Sequence, residues 1–270
     1  RSVVDPTIGN GALVASMAAG GAEITGIELD YGRMLRASFA LGDTANILHG
    51  AFDDMKGDLA DFDVVFVNPP FGQLNKKVDL PDRGHVFPTK ALHYQIAVEA
   101  LQKLKVGGDA FIVLPADIYN PEESGKSAER FGNWLRLGFD DVQEAVCDSR
   151  LYRGMGADVP VQIYAAKGFR SELKPFDQLA AIKADGVYRM LSSFDDLYDW
   201  SRSVSERFNG LAATPRSQVA EDAPIEAPAT APEGQAPQEG GNAPDDAGNA
   251  SGSRSGRPRE DPSPPEGGDG

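Results

Sequence analysis

The segment Asp5–Leu13 reads DPTIGNGAL and marks the first turn of a predicted α/β unit. It follows the β-rich run Ser2–Asp5 and opens the small-residue run Gly11–Ala19, which predicts a strand, a turn and a helix in succession. Gly9 and Gly11 let the backbone turn tightly and approach a ligand closely. The acidic residue that opens the turn would repel a pyrophosphate but suits a ligand that carries a cation. A plain strand–turn–helix junction fits the same glycine pattern, so this segment alone leaves both interpretations open.

Short β-rich runs and helical stretches alternate along the chain beyond this turn. The apolar run Asp63–Val67 (DVVFV) is typical of a parallel strand that is buried on both faces. No helix is predicted between Val142–Cys147 and Val159–Ala166, so we expect these two strands to pair antiparallel. The pattern predicts an α/β, Rossmann-like fold with a mostly parallel sheet and an antiparallel last strand.

Composition divides the 270 residues into three parts. Residues 214–270 hold 10 of the 19 prolines and no aromatic residue, and we expect this Pro/Gly-rich acidic tail to be disordered. Residues 1–170 are predicted to form the main domain, and residues 171–213 a peripheral helical extension. The net charge of −15 and the pI near 4.6 argue against broad nucleic-acid binding through net charge.

Several classes of protein are excluded by what the sequence lacks. No apolar run approaches the roughly 18–20 residues of a membrane span, and the first residues enter a strand with no signal peptide. The single cysteine, Cys147, indicates a reducing compartment, so we expect a cytoplasmic protein. Three histidines, His49, His85 and His93, show no metal-ligand spacing with it, so no metal is expected.

Two further segments follow predicted strands. Glu28, in Gly26–Asp30 (GIELD), lies 19 residues after Gly9, where a carboxylate can accept hydrogen bonds from ribose hydroxyls. A solvated carboxylate at a strand end is the alternative. Asn68–Phe71 (NPPF) follows the buried strand directly. Its Asn amide oxygen and first Pro carbonyl could accept both hydrogens of a planar amino group, while Phe71 offers a face for stacking. The alternative is a proline-rich loop with a packed phenylalanine.

DPTIGNGAL, GIELD and NPPFG, in that order, resemble the S-adenosylmethionine-dependent DNA adenine-N6 methyltransferases. The resemblance is greatest to the modification subunits of type I restriction systems and to helicase-linked methylases, and it covers roughly Arg1 to Gly168. It implies a class I methyltransferase catalytic domain over residues 1–170. It also implies direct in-line transfer of a methyl group to a flipped-out base, with neither a metal nor a covalent intermediate.

The resemblance also implies roles for individual residues. The residues carried over for the cofactor are Asp5, Pro6, Thr7, Gly9, Gly11, Glu28 and Leu29, and those for catalysis are Asn68, Pro69, Pro70 and Phe71. One position departs from the family pattern, because Ala51 stands where an acidic residue is usual after the third strand. Phe52 is expected beside the cofactor adenine, and Asp53 is expected to substitute for the missing acid.

Basic residues near the expected active edge suggest a rim that contacts phosphates, although ordinary solvated charge is the alternative. These residues are Lys76, Lys77, Arg83, Lys90, Arg150 and Arg153. The expected partner is DNA, and we expect a separate recognition domain, a subunit or the remainder of a longer chain to choose the target sequence. Two alternatives stay open: methyl transfer to another planar amino group (guanine N2 in RNA or a protein glutamine amide), and a non-catalytic module with a methylase fold.

Overall fold

A computed structural model describes residues 1–116, 125–151, 159–180 and 189–209, which all fall within one compact unit, Arg1–Pro215. The strands are β1 (Ser2–Asp5), β2 (Glu23–Glu28), β3 (Ala45–His49), β4 (Phe62–Val67), β5 (Gln73–Asp82), β6 (His85–Ala91), β7 (Leu104–Pro115), β8 (Phe139–Cys147), β9 (Val161–Phe169) and β10 (Arg189–Leu191). The helices are α1 (Ala15–Ala19), α2 (Tyr31–Leu41), α3 (Phe52–Met55), α4 (Leu92–Leu101), α5 (Gly125–Gly138) and α6 (Phe194–Asn209).

Eight strands form one sheet in the order β10-β8-β9-β7-β4-β1-β2-β3. Only β9 runs antiparallel to its neighbours, β7 and β8, while the other pairs in this sheet are parallel. The predicted mostly parallel sheet with an antiparallel last strand is therefore confirmed. The chain proceeds from β1 to β3 on one side and returns to β4 on the other side of β1. This reversal places the carboxyl ends of β1 and β4 at the switch point of the sheet, where α/β proteins bind ligands.

The two faces of the sheet are buried by different helices. Val3 and Val64 face the cluster that includes α1 and α2, whereas Val4 and Val65 face the cluster that includes α4 and α5. Successive strand residues point to opposite faces, so β1 and β4 must be apolar at consecutive positions. This requirement explains the uninterrupted apolar run that predicted β4.

The segment after NPPF, which carries several residues of the predicted basic rim, forms the antiparallel hairpin β5–β6. Its two-residue turn is Arg83-Gly84, in which both residues have positive φ, +46° and +80°. Asn-Gly is the usual sequence for such a turn, and the arginine at the first position conceals the signal. The hairpin tip packs against the main domain, since the Trp134 Nε1 donates to Asp82 Oδ2 at 2.9 Å.

The predicted helical extension contributes a strand as well as a helix. Helix α6 begins at Phe194, within the predicted extension, and β10 extends the sheet by pairing parallel with β8. Leu191 of β10 packs with Trp200 and Val204 of α6 and with Cys147 of β8. A three-residue strand carries too little periodicity to be predicted from sequence. The tail over residues 214–270 lies outside the described residues.

Among the described residues, no helix is both long and apolar enough to cross a membrane. The same part of the chain brings no three His, Cys, Asp or Glu side chains together in a way that could hold a metal ion.

Candidate functional site

The turn between β1 and α1 is held in shape by its two glycines. Gly9 and Gly11 have φ values of +60° and +81°, a region that side chains with a Cβ rarely adopt. A Cβ on Gly11 would also lie 3.0 Å from the Leu41 Cδ1, so α2 requires a glycine there. No atom lies within 4 Å of the position of a Cβ on Gly9. The backbone at Gly9 is therefore open to the close approach of a ligand.

Asp5 ends β1 and is almost completely buried, as is Pro6 beside it. Its Oδ1 accepts a hydrogen bond from the Thr7 N–H at 2.9 Å. Burial is the main cause that raises the pKa of Asp5 to about 7; the Thr7 hydrogen bond opposes this shift, and the nearby charge of Glu28 adds a smaller increase. A cation bound next to this carboxyl group would lower its pKa and favour its ionised form.

Glu28 ends β2 and fastens the glycine turn to it. Its Oε2 accepts from the Gly9 N–H at 2.9 Å, and its Oε1 accepts from the Asp30 N–H at 2.8 Å. The predicted spacing between Gly9 and Glu28 therefore corresponds to a direct contact. Each carboxylate oxygen keeps a second lone pair, so Glu28 can still accept hydrogen bonds from ribose hydroxyls.

An exposed apolar surface lies beside Glu28. Leu29 is 70% exposed, and the Tyr31 ring lies edge-on to the His49 ring with 5.3 Å between their centroids. One His49 ring nitrogen, Nε2, lies 3.1 Å from the Leu29 carbonyl oxygen. Tyr31 and His49 were not predicted as site residues. Their signal is positional, because each lies at or just beyond the carboxyl end of a parallel strand.

Phe52 and Asp53, which follow β3 and were predicted to contact the cofactor, both interact with other parts of the chain. Phe52 is buried in the main core, so its ring is not an exposed platform. Asp53 is exposed and accepts a hydrogen bond from the Lys56 Nζ at 2.9 Å, which holds its pKa below the usual range. Lys56 also pairs with Glu99 of α4 at 2.7 Å. Asp53 is thus engaged in joining α3 to α4, and its predicted cofactor role stays a prediction.

Asn68–Phe71 follows β4 at the same sheet edge as the glycine turn. Asn68 and Pro70 are exposed, whereas Pro69 is buried. The Thr7 Oγ1 donates to the Asn68 carbonyl oxygen at 3.2 Å, which ties this loop to the glycine turn. Two prolines remove two backbone donors and restrict the loop, so the Asn68 amide is presented from a stiff support.

Phe71 is 41% exposed and packs against the start of α4. Its ring lies edge-on to the His93 ring, with 6.1 Å between centroids and 78° between planes. The Leu92 N–H donates to the Gly72 carbonyl oxygen at 2.9 Å. The loop therefore runs directly into the hairpin on one side and is fixed to α4 on the other.

The predicted basic rim is only partly present. Lys76, Lys77 and Lys90 are exposed at the base of the hairpin, where the pairing shifts between Gln73↔Ala91 and Val78↔Thr89. Lys77 lies 3.8 Å from Asp79.

The arginines of this rim differ from the lysines. Arg83 was predicted to contact phosphate, but its side chain is buried against Trp134 and Phe169 and donates to the carbonyl oxygen of Gly138. Arg150 is exposed and pairs with Asp148 through two hydrogen bonds. Arg153 lies outside the described residues.

Two concave regions lie away from this edge. One, of about 610 Å³, is lined by the hairpin tip with Gln102 and Phe169. The other, of about 300 Å³, lies between α5 and strands β8 and β9. Neither is lined by a predicted cofactor or catalytic residue. Two side-chain contacts, Gly9 with Glu28 and Thr7 with Asn68, identify the sheet edge as the candidate site instead.

Of three comparisons with known proteins, the one with solved structures found similar chains. No protein-family model matches the sequence, and no curated protein matches it. Among solved structures, the chain is similar to a Listeria monocytogenes protein assigned to the class I S-adenosylmethionine-dependent methyltransferases. The TM-score is 0.50, with 16% sequence identity over 77% of this chain and 64% of that chain.

Two other solved structures have lower TM-scores. One is a Pyrococcus horikoshii protein assigned as an RNA methyltransferase, with a TM-score of 0.42 and 16% identity over 62% of this chain and 74% of that chain. The other is a T. thermophilus 16S rRNA N2 methyltransferase in complex with AdoMet and guanosine, with a TM-score of 0.39 and 24% identity over 62% of this chain and 37% of that chain. The fold assignment depends on the L. monocytogenes protein alone. The chain has the class I methyltransferase fold and spans 64% of the length of that protein.

Proposed function

We propose that this chain transfers a methyl group from S-adenosylmethionine to the exocyclic N6 amino group of adenine in DNA. The observation that carries the proposal is the contact between Thr7 and Asn68, which joins the glycine turn to the NPPF loop at the switch point of the sheet. A cofactor held by the first segment would lie next to an amino group held by the second. The order DPTIGNGAL, GIELD and NPPFG, typical of adenine-N6 methyltransferases, favours this substrate.

The residues of the turn fit S-adenosylmethionine by their chemistry. The open backbone at Gly9 admits a ligand, Glu28 keeps lone pairs for ribose hydroxyls, and exposed Leu29 offers an apolar surface for a base. The buried Asp5 carboxyl favours a ligand that brings a positive charge. When bound, S-adenosylmethionine supplies a methyl group already activated by a sulfonium.

The NPPF loop would hold and orient the accepting amino group. The Asn68 amide oxygen and the Pro69 carbonyl oxygen each accept a hydrogen bond from one N–H of the amino group. These two hydrogen bonds bias the amino nitrogen towards tetrahedral geometry and localise its lone pair. Phe71 supplies the face against which the base stacks. Orientation and electrostatic preorganisation then lower the barrier, and no protein nucleophile is required.

Cys147 does not take part in this chemistry. It lies within β8, is completely buried, and has its thiol pKa raised by burial to about 11. A thiol in that environment is a poor nucleophile, since only the thiolate attacks. The covalent route that cytosine-C5 methylation uses is therefore not open to this residue.

Target selection is proposed to depend on a separate recognition domain or subunit, or on the remainder of a longer chain. The described residues are largely used by the sheet and its helices, and the sequence has a net charge of −15. Long-range repulsion opposes DNA, and among the described residues the lysines at the hairpin base are placed to attract phosphates. We expect the chain alone to bind duplex DNA weakly and with little sequence preference.

The decisive experiment is a labelled-methyl assay with DNA, RNA and protein substrates, followed by identification of the methylated product by mass. N6-methyladenine in DNA supports the proposal, whereas N2-methylguanine in RNA or a methylated glutamine would replace its substrate. Calorimetry with S-adenosylmethionine separates an enzyme from a non-catalytic module. No measurable binding at millimolar cofactor would contradict the proposal outright.

A further inference from the structure

We propose that His93 is a binding residue for the target base, and that its imidazole hydrogen-bonds the purine ring once the base stacks on Phe71. This inference rests on the proposed function and adds a residue to the same site. His93 is not in any of the three sequence segments that suggested methyl transfer. Three structural observations support this role for His93: its burial, the lack of hydrogen-bond partners for its ring nitrogens among the described residues, and its position beside the NPPF loop.

His93 is only 5% exposed, yet neither ring nitrogen has a hydrogen-bond partner within the described ranges. Buried polar groups in proteins are nearly always paired, since an unpaired one loses its hydration without compensation. A leucine or phenylalanine would fill the same space without that loss of stability. An arriving ligand that pairs with the imidazole would explain why a histidine stands there.

The position of His93 makes the target base the natural ligand. It lies in the first turn of α4, which is fixed to the NPPF loop by the 2.9 Å bond between Leu92 and Gly72. Its ring contacts two aromatic rings: Tyr94, with centroids 4.5 Å apart, and Phe71, with centroids 6.1 Å apart. Tyr94 is buried in the main core, whereas Phe71 is exposed on the loop. The Phe71 side is therefore the one that can open.

The charge state of His93 suits recognition and not proton transfer. Burial lowers its pKa to about 4, so the imidazole is neutral at physiological pH. A neutral imidazole offers one N–H donor and one nitrogen acceptor. A purine carries complementary groups, since its ring nitrogens accept and its amino group donates. When Phe71 turns from its edge-on contact to stack on the base, the purine edge reaches the uncovered imidazole.

The three histidines of the chain allow a direct test by imidazole ¹⁵N NMR on the full 270-residue protein. His49 lies beside the proposed cofactor surface, His93 lies beside Phe71, and His85 lies at the far end of the hairpin against Phe176. S-adenosylhomocysteine is expected to shift the His49 signals. A single-stranded thymine oligonucleotide with one adenine is then expected to shift the His93 signals, and an all-thymine oligonucleotide is not. His85 serves as the internal control.

The outcomes separate this inference from the proposed function. Methyl transfer to the adenine with unmoved His93 signals would overturn the inference and leave the function standing. An absence of both methyl transfer and any His49 shift would overturn both. A shift at His93 that depends on the adenine supports the inference directly, in the unaltered protein.

A substitution separates binding from a purely structural role. His93→Phe removes both unpaired nitrogens and keeps an aromatic ring, so the melting temperature is expected to rise. The KM for the adenine oligonucleotide is expected to rise about tenfold, while the cofactor Kd stays within twofold. His85→Phe is the matched control and should change neither constant. A higher melting temperature with an unchanged KM would show that His93 is only a core residue.

Discussion

The two halves of the candidate site are built differently. In the cofactor half, the Glu28 carboxylate and the Asp5 carboxyl are buried and bonded to backbone N–H groups of the chain itself. In the target half, Asn68 and Phe71 are exposed, and the nitrogens of His93 have no partner among the described residues. The carboxylates of the first half already form hydrogen bonds within the chain, whereas the imidazole of the second half forms none with the described residues.

The difference indicates which residues contribute to the free energy of folding and which contribute mainly to the binding of the target. Bonds within the cofactor half stabilise the fold, so substitutions there should affect both stability and cofactor affinity. Asn68 and Phe71 of the target half are exposed and contribute little to stability, so substitutions of these two residues should affect mainly the reaction. Five experiments test this contrast.

The largest effect is expected from Asn68→Ala. Removing one preorganised polar contact at a reacting group typically costs about 10²–10³ in rate. Single-turnover methyl transfer should fall by that factor, while the cofactor Kd stays within a few-fold and the melting temperature is unchanged. A variant that methylates at near-normal rate would refute the assignment of the target half.

Phe71→Ala should weaken capture of the base. Stacking on an aromatic side chain contributes about 1–3 kcal/mol per base, which corresponds to a roughly 5- to 150-fold higher KM for the nucleic acid. Steady-state kinetics at saturating cofactor measure this. Phe39→Ala is the control, because Phe39 is the most exposed large apolar residue described and lies on α2. An equal loss in both variants would mean that the effect is not specific to the site.

Glu28→Ala should affect both binding and stability. Loss of hydrogen bonds to a charged acceptor costs roughly 1.5–3 kcal/mol, about tenfold or more in cofactor affinity. The melting temperature should fall as well, because the N–H groups of Gly9 and Asp30 lose their acceptor. Calorimetry and thermal unfolding measure the two effects. Glu23→Ala, at the exposed start of the same strand, should change neither.

Asp5 should make cofactor affinity depend on pH. Its pKa is about 7 in the folded chain against an ordinary 3.8, so the folded state binds more protons between these values. Stability without ligand should therefore fall as the pH rises from about 4 to about 7. A cationic ligand favours the ionised form, so affinity should rise with pH by up to about tenfold per unit below pH 7.

Calorimetry at pH 6 and pH 8 tests the Asp5 prediction, with buffers of different ionisation heat to count the released proton. Asp5→Asn should flatten the profile, whereas Asp43→Asn, an exposed residue on the connection between α2 and β3, should preserve it. An identical pH profile in wild type and Asp5→Asn would show that the cofactor does not sense this carboxyl.

The smallest effect is expected from the lysines at the hairpin base. Replacing Lys76 and Lys77 by alanine should weaken nucleic-acid binding a few-fold without changing sequence preference. The slope of log K against log salt should decrease by about 1–2. Lys103 and Lys105, near the amino end of β7, provide a control pair of equal charge. Equal losses from the two pairs would indicate a general charge effect and no defined rim.

The sequence predicted the features that depend on local pattern. The β1–turn–α1 unit, the buried strand β4 and the antiparallel strand β9 each have a periodicity or composition that one segment carries alone. The spacing of Gly9 and Glu28 across one βαβ unit predicted a ribose-binding carboxylate, and the structure places that carboxylate against the glycine turn, while its ribose role stays a prediction. Asn68 was placed correctly at a strand end because a buried strand and a proline pair adjoin in the sequence.

The features that escaped prediction depend on distant parts of the chain. Arg83 belongs to a turn that usually carries asparagine, and its burial depends on Trp134 and Phe169 from other elements. Phe52 was expected beside the cofactor adenine; α3 directs its ring into the main core, and its predicted role stays a prediction. The ring nitrogens of His93 have no partner among the described residues because α4 packs against the NPPF loop. No spacing in the sequence predicts that packing.

The packing of the hairpin tip against Trp134 allows tryptophan fluorescence to report on the position of the tip. Trp134 donates its indole N–H to the Asp82 carboxylate and lies 5.3 Å from the Arg83 guanidinium, so charged groups surround its chromophore. The other tryptophan, Trp200, lies in a separate apolar cluster at the β10 edge of the sheet. Because the hairpin starts at the NPPF loop, any displacement of the tip when a nucleic acid binds would alter the emission of Trp134 and leave that of Trp200 constant. A Trp200→Phe variant would thus be a single-tryptophan sensor of the hairpin tip, and constant emission on binding of the oligonucleotide would show that the tip, with the control residue His85, stays in place.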